Sequence, residues 1–380
     1  MPEFCKYKLR IVEPSFGSDL TDSIINLEHL RKRRLGGTTH PAIFFQLKNV
    51  FHLLESIGSA RIEGNNTTIA EYIETKIDPN IRNDEDIQEI ANMEKAMTFI
   101  EETLEDETPI DRAFICELHK LTVNNLTREG DRTPGVFRKG NVQISGSEHS
   151  PPDAAHVPYY MDELFSFINR VDEPKYDLLK TALAHHGFCW IHPFNNGNGR
   201  AVRLLTYSML IKQGFKVKTG RILNPTAVFC SDREKYYAML AEGDKGTDNG
   251  LLVWCSYVLN GLNTEISKVD KLTDHEYLAD KILLPAIRFC RERENITKLE
   301  AEILKIAVKN HVFQSSDIES AMPGKVPAER SRAIRKLKND KLIAPLKESG
   351  RKYIINFSNN YLLRGVIIAL QNEGFVSLNE

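Results

Sequence analysis

A short turn rich in asparagine and glycine, lying between two apolar helical segments, constrains this sequence more than any other feature. The first segment ends at Ile191, and Pro193 stops a helix because proline has no backbone donor. Gly197 and Gly199 allow a sharp turn and a close approach of the backbone to a ligand. A new helical pattern follows at once, so its free amide groups point into the turn. Glycines before a helix N-terminus predict an anion-binding site.

Charged and titratable side chains surround this turn. Arg200 and Arg203 lie one helical turn apart directly after the glycines, and two guanidinium groups beside backbone donors suit a polyphosphate. His192 stands at the entrance of the turn, where a neutral imidazole can take a proton from an attacking hydroxyl. Phosphates, a base and a hydroxyl together predict phosphoryl or nucleotidyl transfer.

The same segment resembles the signature of the Fic family. That signature reads His-Pro-Phe, any residue, Asp or Glu, Gly-Asn-Gly-Arg, any two residues, Arg. Residues 134–138, 184–188 and 233–237 also resemble family segments, so the resemblance covers roughly residues 40–265. Within the twelve positions that begin at the histidine, the eight matching residues are His192, Pro193, Phe194, Gly197, Asn198, Gly199, Arg200 and Arg203.

The resemblance implies a protein adenylyltransferase that moves AMP from ATP onto a Ser, Thr or Tyr hydroxyl of a target protein. His192 would be the catalytic base, and Phe194 would anchor the loop in the core. A flap strand of Val142, Gln143 and Ile144 would pair with an extended target segment by strand addition. The implied nucleotide-binding residues are Gly197, Asn198 and Gly199 for the α-phosphate, and Arg200 and Arg203 for the β- and γ-phosphates.

Asn196 departs from the signature, because the family has Asp or Glu there as a ligand of Mg²⁺. An amide oxygen can bind Mg²⁺ but supplies no charge. We therefore expect ATP as substrate and Mg²⁺ as cofactor, with Asn196 a weak metal ligand and transfer slowed accordingly.

A second motif precedes the core. Ser59 and Glu63 are four residues apart, so they share a helix face, and Gly64 suits a helix C-terminus. The pattern resembles the inhibitory motif of Fic proteins in its intramolecular form. That resemblance implies that Glu63 pairs with Arg203 in the place of the γ-phosphate. The neighbouring residue Asn65 either touches nucleotide or stabilises the inhibitory helix.

The chain divides into four predicted regions. These are an N-terminal helical region (1–105) with the inhibitory helix at about 57–65, a Fic catalytic core (106–268), a connecting helix (269–292) and a winged helix domain (293–380). The predicted fold is mainly α, with a β-hairpin flap within residues 133–158 and a C-terminal winged helix-turn-helix (α+β) domain. Apolar periodicity predicts core helices at about 41–56, 84–104, 109–125, 158–171, 174–190, 199–213, 232–243, 249–266 and 275–292.

The C-terminal region reads as three helices, at 299–308, 315–321 and 327–340, followed by a hairpin with a turn at Ser349 and Gly350. This is the order of a winged helix. Residues 325–352 hold ten Lys or Arg and three acidic residues. Binding of DNA phosphates and a solvated face of a protein-docking module both remain open. The basic residues of the candidate recognition helix are Arg330, Arg332, Arg335 and Lys336.

Composition excludes several classes of protein. The formal net charge of −2 gives no global attraction to nucleic acid or membrane. Six dispersed cysteines, Cys5 among them, form no CxxC pair, and the chain has no apolar run of about 18 residues. The N-terminus also lacks the pattern of a signal peptide. We expect a cytoplasmic protein without membrane contact, and the family resemblance implies a homodimer.

Three other functions stay open. Glu63 could position water to remove AMP from a modified target, or the fold could phosphorylate targets as Doc-type relatives do, although the glycine-rich turn argues against the latter. A nucleotide-sensing DNA-binding regulator is the third. The motif's neighbours have plainer interpretations: His185 and His186 as packed histidines rather than zinc ligands, and Tyr236 and Tyr237 as core residues rather than an adenine platform.

Overall fold

The computed structural model describes residues 9–32, 37–78, 80–82, 84–105, 107–144, 146–215, 223–348, 350–358 and 361–376. This part of the chain is mainly helical, as predicted, with one two-stranded sheet. Two residues used in the sequence predictions, Cys5 and Ser349, lie outside the described residues.

Most of the described helices are joined by short connections, whereas residues 124–156 and 311–326 form longer ones. A π-helical turn, Ala279–Leu283, joins the helix that ends at Leu278 to the helix that begins at Leu284. The bounds are α1 Asp19–Lys32, α2 Pro41–Ile62, α3 Ile69–Ile77, α4 Glu85–Thr103, α5 Arg112–Val123, α6 Val157–Asn169, α7 Asp177–Ile191, α8 Asn198–Lys212, α9 Thr226–Cys230, α10 Arg233–Asp244, α11 Asp248–Asp270, α12 His275–Leu278, α13 Leu284–Glu292, α14 Lys298–Asn310, α15 Pro327–Asn339 and α16 Tyr361–Asn372.

Contacts divide the described residues into two compact units. The first unit comprises those within 1–33, 55–67 and 84–266, and the second those within 34–54, 68–83 and 267–380. The helix α2 contributes residues 41–54 to the second unit and residues 55–62 to the first.

The core of the first unit is built around α7 and α8. Both helices are buried on nearly every side, as expected of helices that lie in the middle of a domain. The helices α4, α5 and α6 pack around this pair. Two of these begin at aspartate N-caps, because Asp84 accepts from Ile87 N at 3.1 Å and Asp111 accepts from Phe114 N at 2.9 Å. Because α7 and α8 are both packed in this core, the two ends of the glycine-rich turn between them are fixed.

The second unit contains the sheet. Strand β1 (Ile343–Pro345) pairs antiparallel with β2 (Tyr353–Ile355), with Ile343 opposite Ile355. Helices α13 and α16 pack closely at Gly365. A Cβ at this position would stand 2.8 Å from the Ala286 carbonyl oxygen, so the absence of a side chain permits the close approach.

Several elements differ from the sequence expectations. The helices α3, α9 and α16 are not among the predicted helices, and α2 continues to Ile62, so Glu63 directly follows the end of a long helix. In place of the short helix expected at 315–321 the chain forms turns and one 3-10 turn, Glu319–Ala321. There the Asp317 carboxylate accepts from Gln314 N at 2.8 Å, and such local bonds compete with helix formation.

Within the described ranges, no helix combines the length and the apolar character needed to cross a lipid bilayer.

Candidate functional site

His192 ends α7 in an unusual backbone conformation. Its φ of 51° and ψ of 64° lie in the left-handed region, while its amide still donates to Phe188 O at 2.9 Å. A residue with a Cβ rarely adopts this conformation, and such strain is common where a side chain must be aimed. The helix stops here, and the imidazole faces a large cavity.

Phe194 anchors the turn in the core. Its side chain is 0% exposed and stacks on the His119 ring with centroids 3.7 Å apart and planes 3° apart. His119 Nε2 lies 2.9 Å from Asn196 O, and Gly135 N donates to Nδ1 at 2.9 Å, which assigns the proton to Nε2. Sequence analysis missed His119, whose only signal is its place on the buried face of α5.

Asn198 closes the turn on itself. Its Oδ1 accepts from Phe194 N and its Nδ2 donates to Phe194 O, both at 2.9 Å. Gly197 has a φ of 73°, and a Cβ there would stand 2.8 Å from Val123 Cγ1. The side chain of Asn198 thus shapes the loop, and the backbone amides at the start of α8 are the donors that face outward to an anion.

The turn opens onto a cavity of about 1180 Å³. One wall is the turn with the start of α8, a second is the segment after Ile144, and a third is α10. This volume exceeds that of a typical small-ligand pocket, roughly 300–1,000 Å³. The principal lining residues are Glu63, His149, Pro152, Trp190, His192, Asn198, Gly199, Arg203, Arg233, Tyr236, Tyr237 and Asp244.

Arg203 is held by the end of α2. Its Nε donates to Ser59 Oγ at 2.7 Å, and its Nη2 donates to Ser59 O at 3.0 Å and to Glu63 Oε1 at 2.7 Å. The guanidinium side chain is 1% exposed and the Glu63 side chain 26% exposed. This is a charge-assisted pair between residues 140 positions apart in the sequence.

The Glu63 carboxylate lies over the N-terminus of α8. A Cβ built on Gly199 would stand 2.1 Å from Glu63 Oε1, so only glycine leaves room for the carboxylate. Burial raises the pKa of Glu63, but the charges of Arg203 and Arg200 outweigh burial and bring the pKa below its usual value. An anion therefore occupies the place where the sequence predicts phosphate.

His192 is neutral near pH 7. Burial lowers its pKa to about 4, and the nearby charge of Arg138 acts in the same direction. A contact of the ring with the Cys189 backbone opposes the shift only in part. A neutral imidazole has a lone pair to accept a proton.

Part of the chain matches a known protein family. Residues 109–210 match the Fic/DOC family. The chain contains a Fic domain. It is 30% identical over 200 residues to the protein adenylyltransferase Fic of Drosophila willistoni, covering 51% of this chain and 37% of that protein. The Aedes aegypti protein of the same name is 29% identical over 201 residues, again covering 37% of its length. The chain thus spans well under half of these relatives.

Solved structures share the fold. A Fic family protein from Desulfovibrio desulfuricans superposes with a TM-score of 0.56 at 19% identity, covering 92% of this chain and 98% of that chain. Fic-1 from C. elegans gives a TM-score of 0.53 at 20% identity, covering 66% of this chain and 71% of that chain. The Fic fold therefore agrees with the sequence resemblance.

Arg200 does not lie where the resemblance places it. Its side chain is 0% exposed and is absent from the lining of the cavity onto which the turn opens. Its Nη1 lies 2.8 Å from Glu89 Oε1, and its Nη2 donates to Glu129 O at 2.7 Å. The resemblance places both motif arginines at the nucleotide, but of the two only Arg203 lines the cavity, because a buried carboxylate on α4 holds Arg200.

Asn196 also differs from its expected role. Its Oδ1 accepts from Gly197 N at 2.7 Å, its Nδ2 donates to Gly130 O at 3.2 Å, and the residue does not line the cavity. No cluster of three or more His, Cys, Asp or Glu side chains in the described ranges could hold a metal. The groups present do not fit a protein-bound Mg²⁺ at Asn196, because its oxygen already serves the backbone of the turn.

The β-hairpin expected for the flap is not formed. Residues 142–144 belong to no strand, and the described part of 133–158 contains none. Two bonds hold the ends of the segment: Ala154 N donates to Asn141 Oδ1 at 2.8 Å, and Arg138 Nη2 donates to Pro152 O at 2.6 Å. A segment forms a β-strand only when a second strand pairs with it, and the prolines nearby supply no donors for such a pairing.

Arg138 connects this segment to the glycine-rich turn. Its side chain is buried, and its Nε donates to His192 O at 2.8 Å. Its own amide donates to Pro193 O at 2.8 Å. The left-handed backbone of His192 is thus held from the flap side, a role that the sequence did not reveal.

The remaining aromatic and histidine residues divide between core and cavity. His185 is 0% exposed, with Thr206 Oγ1 at 2.7 Å and the Tyr236 hydroxyl at 2.9 Å from its ring nitrogens. His186 lies 2.9 Å from Asp244. Tyr236 is buried, whereas Tyr237 is 45% exposed beneath the Arg233 guanidinium. The prediction of packed histidines agrees with these contacts, and only Tyr237 presents an open ring.

Replacing Phe194 should destabilise the Fic domain strongly. Phe194→Ala removes a fully buried ring from between His119, Phe137 and Phe188, and we expect a loss of about 3–5 kcal/mol in the free energy of unfolding. Urea unfolding followed by circular dichroism measures the effect. Phe16→Ala, at a ring that is 89% exposed, is the matched control and should change stability little. Equal effects of the two changes would contradict the anchoring role.

Proposed function

We propose that this chain transfers AMP from ATP to a hydroxyl side chain of a target protein and that Glu63 inhibits the transfer. The observation that carries the proposal is the juxtaposition of a neutral imidazole, an anion-binding turn and a buried guanidinium around one cavity. The name of the curated relatives, protein adenylyltransferase, supports the same activity.

The proposed reaction uses the chain's own groups as follows. His192 takes the proton of the target hydroxyl, whose oxygen forms a bond to the α-phosphorus of ATP. The bond from the α-phosphorus to the bridging oxygen breaks, and pyrophosphate leaves. The amides of Gly199 and its neighbours, with the second amide proton of Asn198, stabilise the charge on the phosphate oxygens. Arg203 and Arg233 lie in the cavity and would bind the β- and γ-phosphates.

Inhibition follows from competition for one cation. While Glu63 holds Arg203 and covers Gly199, the phosphates cannot reach either group. The Glu63 carboxylate and the phosphates of ATP would also repel each other, because the lowered pKa of Glu63 keeps this carboxylate ionised near pH 7. Ser59 contributes by holding Nε of Arg203, which turns the guanidinium toward the inhibitor.

The target would bind beside His192. Val142, Gln143 and Ile144 lie in a segment that has no strand partner of its own and whose ends are held near the turn. An extended stretch of the target that pairs with this segment would complete the hairpin and deliver its hydroxyl to His192.

Removing the inhibitor should release the transfer. With α-labelled ATP, the Glu63→Gly variant should incorporate label into itself or into added lysate proteins well above wild type, because Arg203 and the amides become free. Glu63→Gly with His192→Ala is the matched control and should incorporate none, since no base remains.

Two outcomes would refute parts of this proposal. Equal labelling by Glu63→Gly and wild type would refute inhibition by Glu63, and full labelling without His192 would refute the base. If none of the variants labels protein while ATP still binds, release of AMP from a previously modified target is the next assay, because Glu63 could then position water for AMP removal.

The pH dependence of transfer should report the lowered pKa of His192. Since the pKa of His192 lies at about 4, the base is already deprotonated above that pH, and lowering the pH toward about 5 should not slow Glu63→Gly. Initial rates at low ATP from about pH 5 to 8, with circular dichroism at each pH to check folding, measure this. A rate that halves near the ordinary histidine pKa of about 6.5 would contradict the assignment.

A second function rests on the C-terminal unit. Of the basic residues on α15, Arg330 is 12% exposed and pairs with Glu319 at 3.0 Å, and Lys336 pairs with Glu300 at 2.6 Å. Arg332 and Arg335 remain exposed on the same helix, ahead of the hairpin. We propose that this face binds DNA phosphates.

Binding to DNA should then depend on these two arginines. Arg332→Ala with Arg335→Ala should weaken binding to a short fluorescent duplex. The logarithm of the binding constant should then fall less steeply with the logarithm of the salt concentration, by the equivalent of about two phosphate contacts. Lys298→Ala with Lys309→Ala removes the same charge from exposed positions of α14 and should have little effect. Fluorescence anisotropy over a salt series compares them, and equal losses in both pairs would indicate only a general charge effect.

A further inference from the structure

Asn65 follows the inhibitory glutamate and is anchored elsewhere than at the nucleotide cavity. It is 3% exposed, and its Nδ2 donates to Glu89 Oε2 at 2.8 Å and to Asp86 O at 2.9 Å. Its Oδ1 accepts from Thr67 N at 2.9 Å. The side chain therefore ties the segment after α2 to the first turns of α4.

Glu89 is the centre of this contact. It is 1% exposed, and its second oxygen, Oε1, lies 2.8 Å from Nη1 of Arg200. A carboxylate so deeply buried needs a positive partner, and Arg200 is the partner that the structure supplies. Arg200 in turn begins α8, the helix whose N-terminus Glu63 covers.

Glu63 is thus held between two anchors. On its N-terminal side, Ser59 binds Arg203, and on its C-terminal side, Asn65 binds the Glu89–Arg200 pair. Gly64, with a φ of 101°, is the only residue between Glu63 and Asn65. A glycine at this point has much conformational freedom, so the carboxylate keeps its place only if the chain beyond it is fixed.

We propose that Asn65 and Glu89 are positioning residues of the inhibited state: Arg200, Glu89 and Asn65 form a buried latch that holds Glu63 on Arg203. The inference rests on the proposed inhibition by Glu63. It also gives the first motif arginine a task within this chain, because Arg200 fastens the inhibitory segment to the helix that the segment blocks. A partner or modification that draws Asn65 from Glu89 would activate the protein without touching the cavity.

The test is a cycle of variants in two backgrounds. Asn65→Ala in the wild-type background should raise labelling with α-labelled ATP by about tenfold, since a hydrogen bond to a buried charge is lost. Asn65→Asp should raise it further, because two carboxylates would then face each other. In the Glu63→Gly background, Asn65→Ala should change nothing, since the residue that it positions is gone.

A matched control separates positioning from general loss of stability. Asn169 makes four bonds in the same unit: its Oδ1 accepts from Ile110 N at 3.1 Å and Lys212 Nζ at 3.3 Å, and its Nδ2 donates to Ile110 O and Phe165 O at 2.9 Å each. Asn169→Ala should lower the unfolding temperature without raising labelling. If Asn169→Ala raised labelling as much as Asn65→Ala does, the proposed latch would be overturned.

A second measurement does not depend on activity. Hydrogen exchange in the peptide that spans residues 59–67 should accelerate in Asn65→Ala and stay unchanged in Asn169→Ala. If Glu63→Gly proves inactive, the proposed transfer fails, and exchange alone decides on the latch. If Glu63→Gly is active, labelling by Asn65→Ala no higher than wild type, or an equal gain in both backgrounds, overturns the latch.

Discussion

The buried guanidinium of Arg203 needs a counter-charge, and the Fic domain is arranged around how that need is met. A cation with 1% of its side chain exposed is stable only when it is paired. Within the described residues its partners are Glu63 and the two oxygens of Ser59. The proposed nucleotide phosphates would satisfy the same need. In the proposed function, Glu63 and the nucleotide would therefore exclude each other, and the balance between them would be a competition between two anions for one fixed cation.

The groups that would meet the nucleotide are held in place without it. Phe194 stacks on His119, Asn198 bonds its own loop, and Arg138 holds the carbonyl of His192. A rigid turn aims its amides at an anion before the anion arrives, which is how electrostatic stabilisation acts without reorganisation. Burial also keeps His192 neutral, so the proposed base is ready across the physiological pH range.

Two motif positions show why a signature does not assign every role. Arg200 and Arg203 look equivalent in sequence, yet one pairs with a buried glutamate and the other lines the cavity. Asn196 lacks the charge of the family's acidic residue, and its oxygen serves the backbone. In the proposed reaction, Arg203, Arg233 and the N-terminus of α8 would neutralise charge on the phosphates.

The sequence alone predicted what depends on neighbouring residues: the stop after Ile191, the glycine-rich turn, the start of α8 and most of the core helices. These follow from local chemistry, since proline, glycine and apolar periodicity act within a few residues. The resemblance to the Fic family added the prediction that Glu63 pairs with Arg203. Only the tertiary structure decided that Arg200 meets Glu89, that His119 lies beneath Phe194 and that the flap has no strand. Each of these depends on which distant side chains or segments meet when the helices pack, and no local pattern encodes such a meeting.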